Sequence, residues 1–232
     1  MLRLSLNRNQ IKYLVIIAMI IDHIATAFLP DESILAMIMH FVGRFTAPTM
    51  AYFIVEGYYH TKSVKKYVIR LAVFAAVSWL PFSYFETGTL TLRFSVLYTL
   101  LLGLLAVWFL DTANCSVFLK VVGVFGILTL SAFGDWMMFV PLWCVSFYGY
   151  HKFHSKKEKM IPYMAYIIIS IFYCKVIIKS ETWYHGWWSL GVFVAPLFLI
   201  AYNGKSGSKN VFHKWFFYLF YPVHLVILYL IK

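Results

Sequence analysis

Mostly apolar stretches recur along the chain, separated by short polar connections. A helix needs about 17–25 mostly apolar residues to cross a bilayer. On that measure the pattern predicts spans near Ile11–Leu29, Ile34–Tyr59, Tyr67–Phe85, Phe94–Leu110, Cys115–Ala132, Trp136–Tyr150, Met160–Ile178, Trp188–Tyr202 and Val211–Ile231. Nine is the expected number, and the pairs flanking Asp111 and Asp135 leave it open between eight and ten. No connection is long enough to hold a soluble domain. The expected fold is all-α: a polytopic membrane helical bundle in which residues 1–232 form a single integral membrane domain.

Composition agrees. Of the 232 residues, 62% are hydrophobic and 12% charged, with a mean hydropathy of +0.77. A soluble domain has about 45–50% apolar and about 25% charged residues, so soluble, disordered and collagen-like classes are excluded.

The net charge of +11 would point toward nucleic acid in a soluble protein, but in a membrane protein cytoplasmic loops collect Lys and Arg. With nine alternating crossings, fifteen basic residues, Arg3, Lys12, Lys65 and Lys209 among them, fall on the side of the N-terminus. Four (Arg93, Lys175, Lys179, Lys232) fall on the other, and Arg44 lies inside a span. This asymmetry predicts an N-in, C-out orientation, accounts for the basic charge by topology and calls for no nucleic-acid partner. The basic N-terminus followed by Ala25-Thr26-Ala27 imitates a signal peptide, but Asp22-His23 just upstream argues for a retained first helix.

Charged and imidazole groups inside a span are costly, by about 2.5–3.5 kcal/mol for Asp or Arg at a helix centre, and normally pair or line a cavity. Asp22 and His23 in the first span, Arg44 in the second and His224 in the last stand out. With a rise of about 1.5 Å per residue, Asp22 and His224 each lie about 12 Å from the outer end of their helix, and Arg44 about 16 Å. All three therefore fall in one layer of a hydrocarbon core about 30 Å thick. An Asp22–Arg44 ion pair is expected between the first two spans. Asp22 and His23 point about 100° apart, so one faces the site while the other fixes it or pairs with another helix; spacing leaves the assignment open. Pro48, four residues after Arg44, and Pro222, beside His224, remove helical hydrogen bonds and suit irregular backbone near a wet cavity.

The other polar groups are expected to be structural. Glu56 is placed near the cytoplasmic boundary, meeting Arg70 or Lys66, while Asp111 and Asp135 sit at solvated helix ends. His151, His154 and His185 lie in loops without ligand spacing, and Cys115, Cys144 and Cys174 are isolated packing residues, so no metal site is expected.

Several motifs along the chain resemble those of the TraX family. They are Met19-Ile-Ile-Asp22-His23, Gly43-Arg44-Phe-Thr-Ala-Pro48, Glu56-Gly57, Arg70-Leu71, Ser78-Trp-Leu-Pro81-Phe82, Ser95-Val-Leu-Tyr-Thr99-Leu and Phe220-Tyr221-Pro-Val-His224-Leu225. They occur in order over nearly the whole chain, with Ser95 where the family usually has Asn. The resemblance implies kinship with the conjugative pilin acetylase. It implies a multi-pass protein of the bacterial inner membrane, acetyl-CoA as donor and a pilin or fimbrial subunit as partner.

On both lines the expected activity is a membrane-embedded acetyltransferase acting in pilus or fimbria biogenesis. Acyl transfer needs a base and stabilisation of an oxyanion. His224 or His23 is expected to deprotonate the acceptor or carry the acetyl group, Asp22 to orient a histidine, and Arg44 to stabilise negative charge. No Gly-rich phosphate loop is present, so coenzyme A enters through the resemblance alone. The alternative is a non-catalytic assembly factor that binds pilin transmembrane helices and uses the charges for architecture.

Overall fold

The computed structural model describes residues 5–180, 183–208 and 210–232. Arg3 and Lys209 of the charge count lie outside them. Eleven α-helices and one 3-10 turn occur among the described residues: α1 (Arg8–Phe28), α2 (Ile34–Arg44), α3 (Thr46–His60), α4 (Val64–Thr87), α5 (Val96–Thr112), α6 (Val117–Ser131), α7 (Phe139–Lys152), α8 (Lys156–Ser180), α9 (Trp183–Ser189), the turn Leu190–Val194, α10 (Ala195–Ala201) and α11 (Val211–Ile231). Taking α2 with α3, and α9 through α10, as continuous runs leaves nine helical segments that follow the nine apolar stretches. Five are long and apolar enough to cross a membrane: Arg8–Phe28, Ile34–His60, Val64–Thr87, Lys157–Lys179 and Val211–Ile231.

In lipid every backbone polar group must find a partner within the protein, and side chains placed just before the helices cap them. Asn7 and Gln10 form a reciprocal capping box on α1, with N···O distances of 2.9 and 3.0 Å. Ser33, Ser63, Ser116 and Asn210 cap α2, α4, α6 and α11. α4 closes on Gly88, whose φ of 69° favours glycine. The second apolar stretch is interrupted at Phe45. Pro48 has no N–H for the Arg44 carbonyl, so the interruption falls directly after Arg44. Pro222, by contrast, is carried inside a continuous α11.

Exposure is inverted relative to a soluble protein. Ile34, Val117 and Phe118 are more than 70% exposed, whereas His40, Glu56 and His224 are buried. Apolar surface on this scale fits a hydrocarbon solvent rather than water.

The chain divides into two compact units. One runs up to Met50 and resumes at Ser170. In it α2 packs against α1, α9 and the 3-10 turn, and α1 packs against α11. The residues before α1 pair with those after α10 through Leu6 N–H to Ala201 O (2.8 Å) and Asn203 N–H to Leu6 O (2.9 Å). The other unit, Ala51–Ile169, is built around α5, which packs against α4, α6 and α7. Its Gly103 lets Cys144 approach: a Cβ there would fall 2.5 Å from the Cys144 sulfur. Phe94 and Gly134 join the loops that precede α5 and follow α6. Beyond them Asp135 Oδ1 accepts the Trp136 N–H at 2.9 Å, at the start of a turn in which Trp136 and Met137 adopt positive φ.

Candidate functional site

Three helices of the first unit, α1, α2 and α11, supply the intramembrane polar groups. Asp22 and His23 are consecutive on α1 and diverge, and each finds a different neighbour. Asp22 faces α2, where its Oδ1 accepts the His40 Nδ1–H at 2.8 Å and lies 3.8 Å from Arg44 Nη2. His23 faces α11, where its Nδ1 lies 2.7 Å from His224 Nε2, the two rings nearly parallel at 10°. The structure thus pairs the four residues singled out from the sequence, Asp22 with Arg44 and His23 with His224, on different sides of α1. The expected Asp22–Arg44 ion pair is present, but His40 is the nearer partner.

Close approach of α1 to α2 depends on Gly43. A Cβ there would fall 2.5 Å from Asp22 Oδ1 and closer still to its Cβ and Cγ. Gly191 plays the same part on the other side of α2, where a Cβ would overlap the Phe41 carbonyl. On α9 the Trp188 ring packs against both cation-forming groups of α2, with its centroid 4.3 Å from that of His40 and 5.6 Å from Arg44 Cζ.

Hydrogen-bond chemistry assigns the tautomers. A carbonyl only accepts, so the 3.0 Å contact of His224 Nδ1 with Phe220 O places a proton on that nitrogen. Neutral His224 then accepts at Nε2, His23 donates from Nδ1, and the unprotonated nitrogen of neutral His23 is Nε2. Both ring nitrogens of His224 are engaged. In its neutral form His40, donating from Nδ1 to a carboxylate, carries its lone pair on Nε2.

Sequence reasoning missed His40. The signal was its position one turn before Arg44, on the same face of one helix, and seven residues beyond Ser33, about 10 Å deep. Surrounded by Ala36, Met37, Ile38 and Phe41, it passed as part of an apolar run.

The remaining polar residues lie in the second unit. Glu56 is buried, with Oε2 3.4 Å from His151 Nε2 and Oε1 3.8 Å from His60 Nδ1. His151, expected in a loop, belongs to the last turn of α7. Asp111, expected to be merely solvated, accepts from Tyr58 (2.6 Å) and Tyr148 (2.9 Å), and Lys152 donates to Tyr148 at 2.8 Å. No cluster of three or more side chains able to hold a metal ion occurs among the described residues. A crevice of about 470 Å³ between α5 and α6 is lined by Leu102, Leu105, Trp108, Phe109, Thr112, Gly123, Ile127 and Leu130, and presents no charged side chain.

Chemically, the first unit's layer offers a carboxylate, a guanidinium and three imidazoles in a water-poor setting, where electrostatic interactions are strong. Such a set can move a proton and stabilise an oxyanion.

Comparison with known proteins gives two matches. A family model described as TraX protein matches residues 7–232. A Dichelobacter nodosus protein named "Probable fimbrial assembly protein FimC, serogroup H1" is 31% identical over 94% of this chain and 93% of its own length. No solved structure matches.

Proposed function

The chain belongs to the TraX family, and from that premise we propose that it is an acetyltransferase of the bacterial inner membrane, acting in pilus or fimbria biogenesis. Its donor is acetyl-CoA, and its acceptor is the N-terminal amine of a pilin or fimbrial subunit. The observation that carries the reading is the pairing of Asp22 with His40 and Arg44, and of its chain neighbour His23 with His224, within the apolar helices. Burying such groups without a task is expensive. In the reaction the acceptor nitrogen bonds to the acetyl carbonyl carbon, the carbon–sulfur bond breaks, and the acceptor's proton passes to an imidazole. Arg44 stabilises the oxyanion and Asp22 fixes an imidazole and balances its charge.

The protein crosses the membrane nine times with its N-terminus in the cytoplasm. Lys and Arg gather on the connections so assigned to the inside. The Leu6–Tyr202 and Phe94–Gly134 pairings each join two connections that alternation puts on one side. Acetyl-CoA is cytoplasmic, whereas an exported subunit presents its new amine at the outer face. A site within the bilayer suits a transfer between the two.

The test is incubation of the purified protein in lipid vesicles with labelled acetyl-CoA and pilin peptides. Labelled N-terminal amine is expected with the wild-type protein, and its loss with Arg44→Met or His23→Ala. Stable capture of the subunit without labelling overturns the enzyme in favour of an assembly factor, the role named for the D. nodosus relative.

A further inference from the structure

We infer that His40, held by Asp22, is the general base of this site. The inference rests on the acyl-transfer reading and names the imidazole that reading leaves open. Of the three imidazoles, His23 directs its Nδ1–H at the neutral ring of His224 rather than at a carboxylate, so that bond supplies no anion to balance an imidazolium. His224 has both nitrogens committed, to Phe220 O and to His23, and can take an acceptor's proton only by giving up a bond. His40 differs. Its Nδ1–H is fixed by the Asp22 carboxylate at 2.8 Å, while Nε2 is buried and has no hydrogen-bond partner among the described residues. The residue as a whole is 3% exposed.

A buried polar atom left unsatisfied is unfavourable, and native structures rarely keep one without a reason. Here the deficit sits on the one nitrogen that the Asp22 bond leaves as a bare lone pair, one helical turn from Arg44. An attacking amine supplies the missing partner. As its nitrogen bonds to the acetyl carbon, the surplus N–H proton moves to His40 Nε2, and the resulting imidazolium is stabilised by the Asp22 carboxylate. Collapse of the tetrahedral intermediate breaks the carbon–sulfur bond, and the departing thiolate takes that proton from Nε2, restoring neutral His40. The side chains of Asp22 and Arg44 keep 16% and 19% exposure, against 4% for His40. The acceptor therefore enters past Asp22 and Arg44 and displaces cover at His40, which includes the Trp188 ring.

The test uses the full chain in lipid vesicles, labelled acetyl-CoA and a peptide with a free N-terminal amine, comparing wild type with His40→Asn and His40→Ala across pH. Asparagine keeps an amide N–H toward Asp22 but has no Nε2, so it repairs a positioning role and not a base. Both variants are expected to lose about 100-fold or more in kcat with little change in KM, and imidazole in the buffer to return part of the rate to His40→Ala. A folded His40→Asn within about threefold of wild type, with its pH profile unchanged, overturns the assignment. A wild-type protein that labels no acceptor overturns the acyl-transfer reading itself. Nitrogen-15 NMR of the histidine-labelled wild-type protein checks the premise without any variant. The neutral Nδ1–H tautomer is expected for His40, and the Nε2–H tautomer refutes the proposal.

Discussion

Asp22 occupies the space that a side chain at Gly43 would need. A Cβ at Gly43 would fall 2.5 Å from Asp22 Oδ1, so the glycine lets α2 approach the carboxylate closely enough for His40 and Arg44 to reach it. The neighbouring letters of the Gly43-Arg44 motif thus divide the labour, one supplying room and the other charge.

Gly43→Ala must push α1 and α2 apart. Overpacking of this kind costs about 1–3 kcal/mol, and the thermal midpoint of the purified protein in detergent is expected to fall accordingly. Gly126→Ala on α6 is the control. Its Cβ would meet nothing within 4 Å, and replacing an interior helical glycine is expected to leave stability unchanged or raise it by up to about 1 kcal/mol.

Asp22 and Arg44 are partners across α1 and α2, separated by 3.8 Å. In a double-mutant cycle with Asp22→Asn and Arg44→Gln, unfolding free energies are expected to show a coupling of about 0.5–3 kcal/mol. Additive losses would mean that the two side chains share a layer without stabilising one another.

The His23–His224 contact of 2.7 Å leads to a non-additive outcome. His224→Phe removes the acceptor of the part-buried His23 Nδ1–H, a loss of up to about 1–3 kcal/mol. Replacing both histidines by Phe removes donor and acceptor together, and the double variant is expected to be more stable than the sum of the singles implies. Chemical denaturation of the four proteins reads this directly.

At the other cluster, Tyr148 both donates to Asp111 and accepts from Lys152, whereas Tyr58 only donates to Asp111. Tyr148→Phe is therefore expected to cost more than Tyr58→Phe, each loss being on the order of 0.5–1.5 kcal/mol per hydrogen bond. Equal midpoints for the two variants would show that the Lys152 contact contributes nothing.

Orientation is checked with single cysteines at exposed positions. In a chain whose Cys115, Cys144 and Cys174 are changed to Ala, a membrane-impermeant maleimide added to intact cells is expected to label Arg93→Cys and spare Lys65→Cys. The reverse pattern would invert the topology.

Much of this architecture could be read along the chain because the free energy of placing a residue in lipid is local. Apolar length marks helices, and Asp22, His23, Arg44 and His224 announce themselves by what each costs alone in hydrocarbon. Even the interruption after Arg44 follows from Pro48 lacking an N–H. Pairing is a different quantity. Which helix Asp22 faces and which His23 faces depends on how α1 sits between α2 and α11, whose partner residues lie 18 and 201 positions away. His40 shows the limit most clearly. One histidine in an apolar run carries no signal of its own, and only helix packing, permitted by a glycine three residues on, sets it against a carboxylate and leaves its far nitrogen bare.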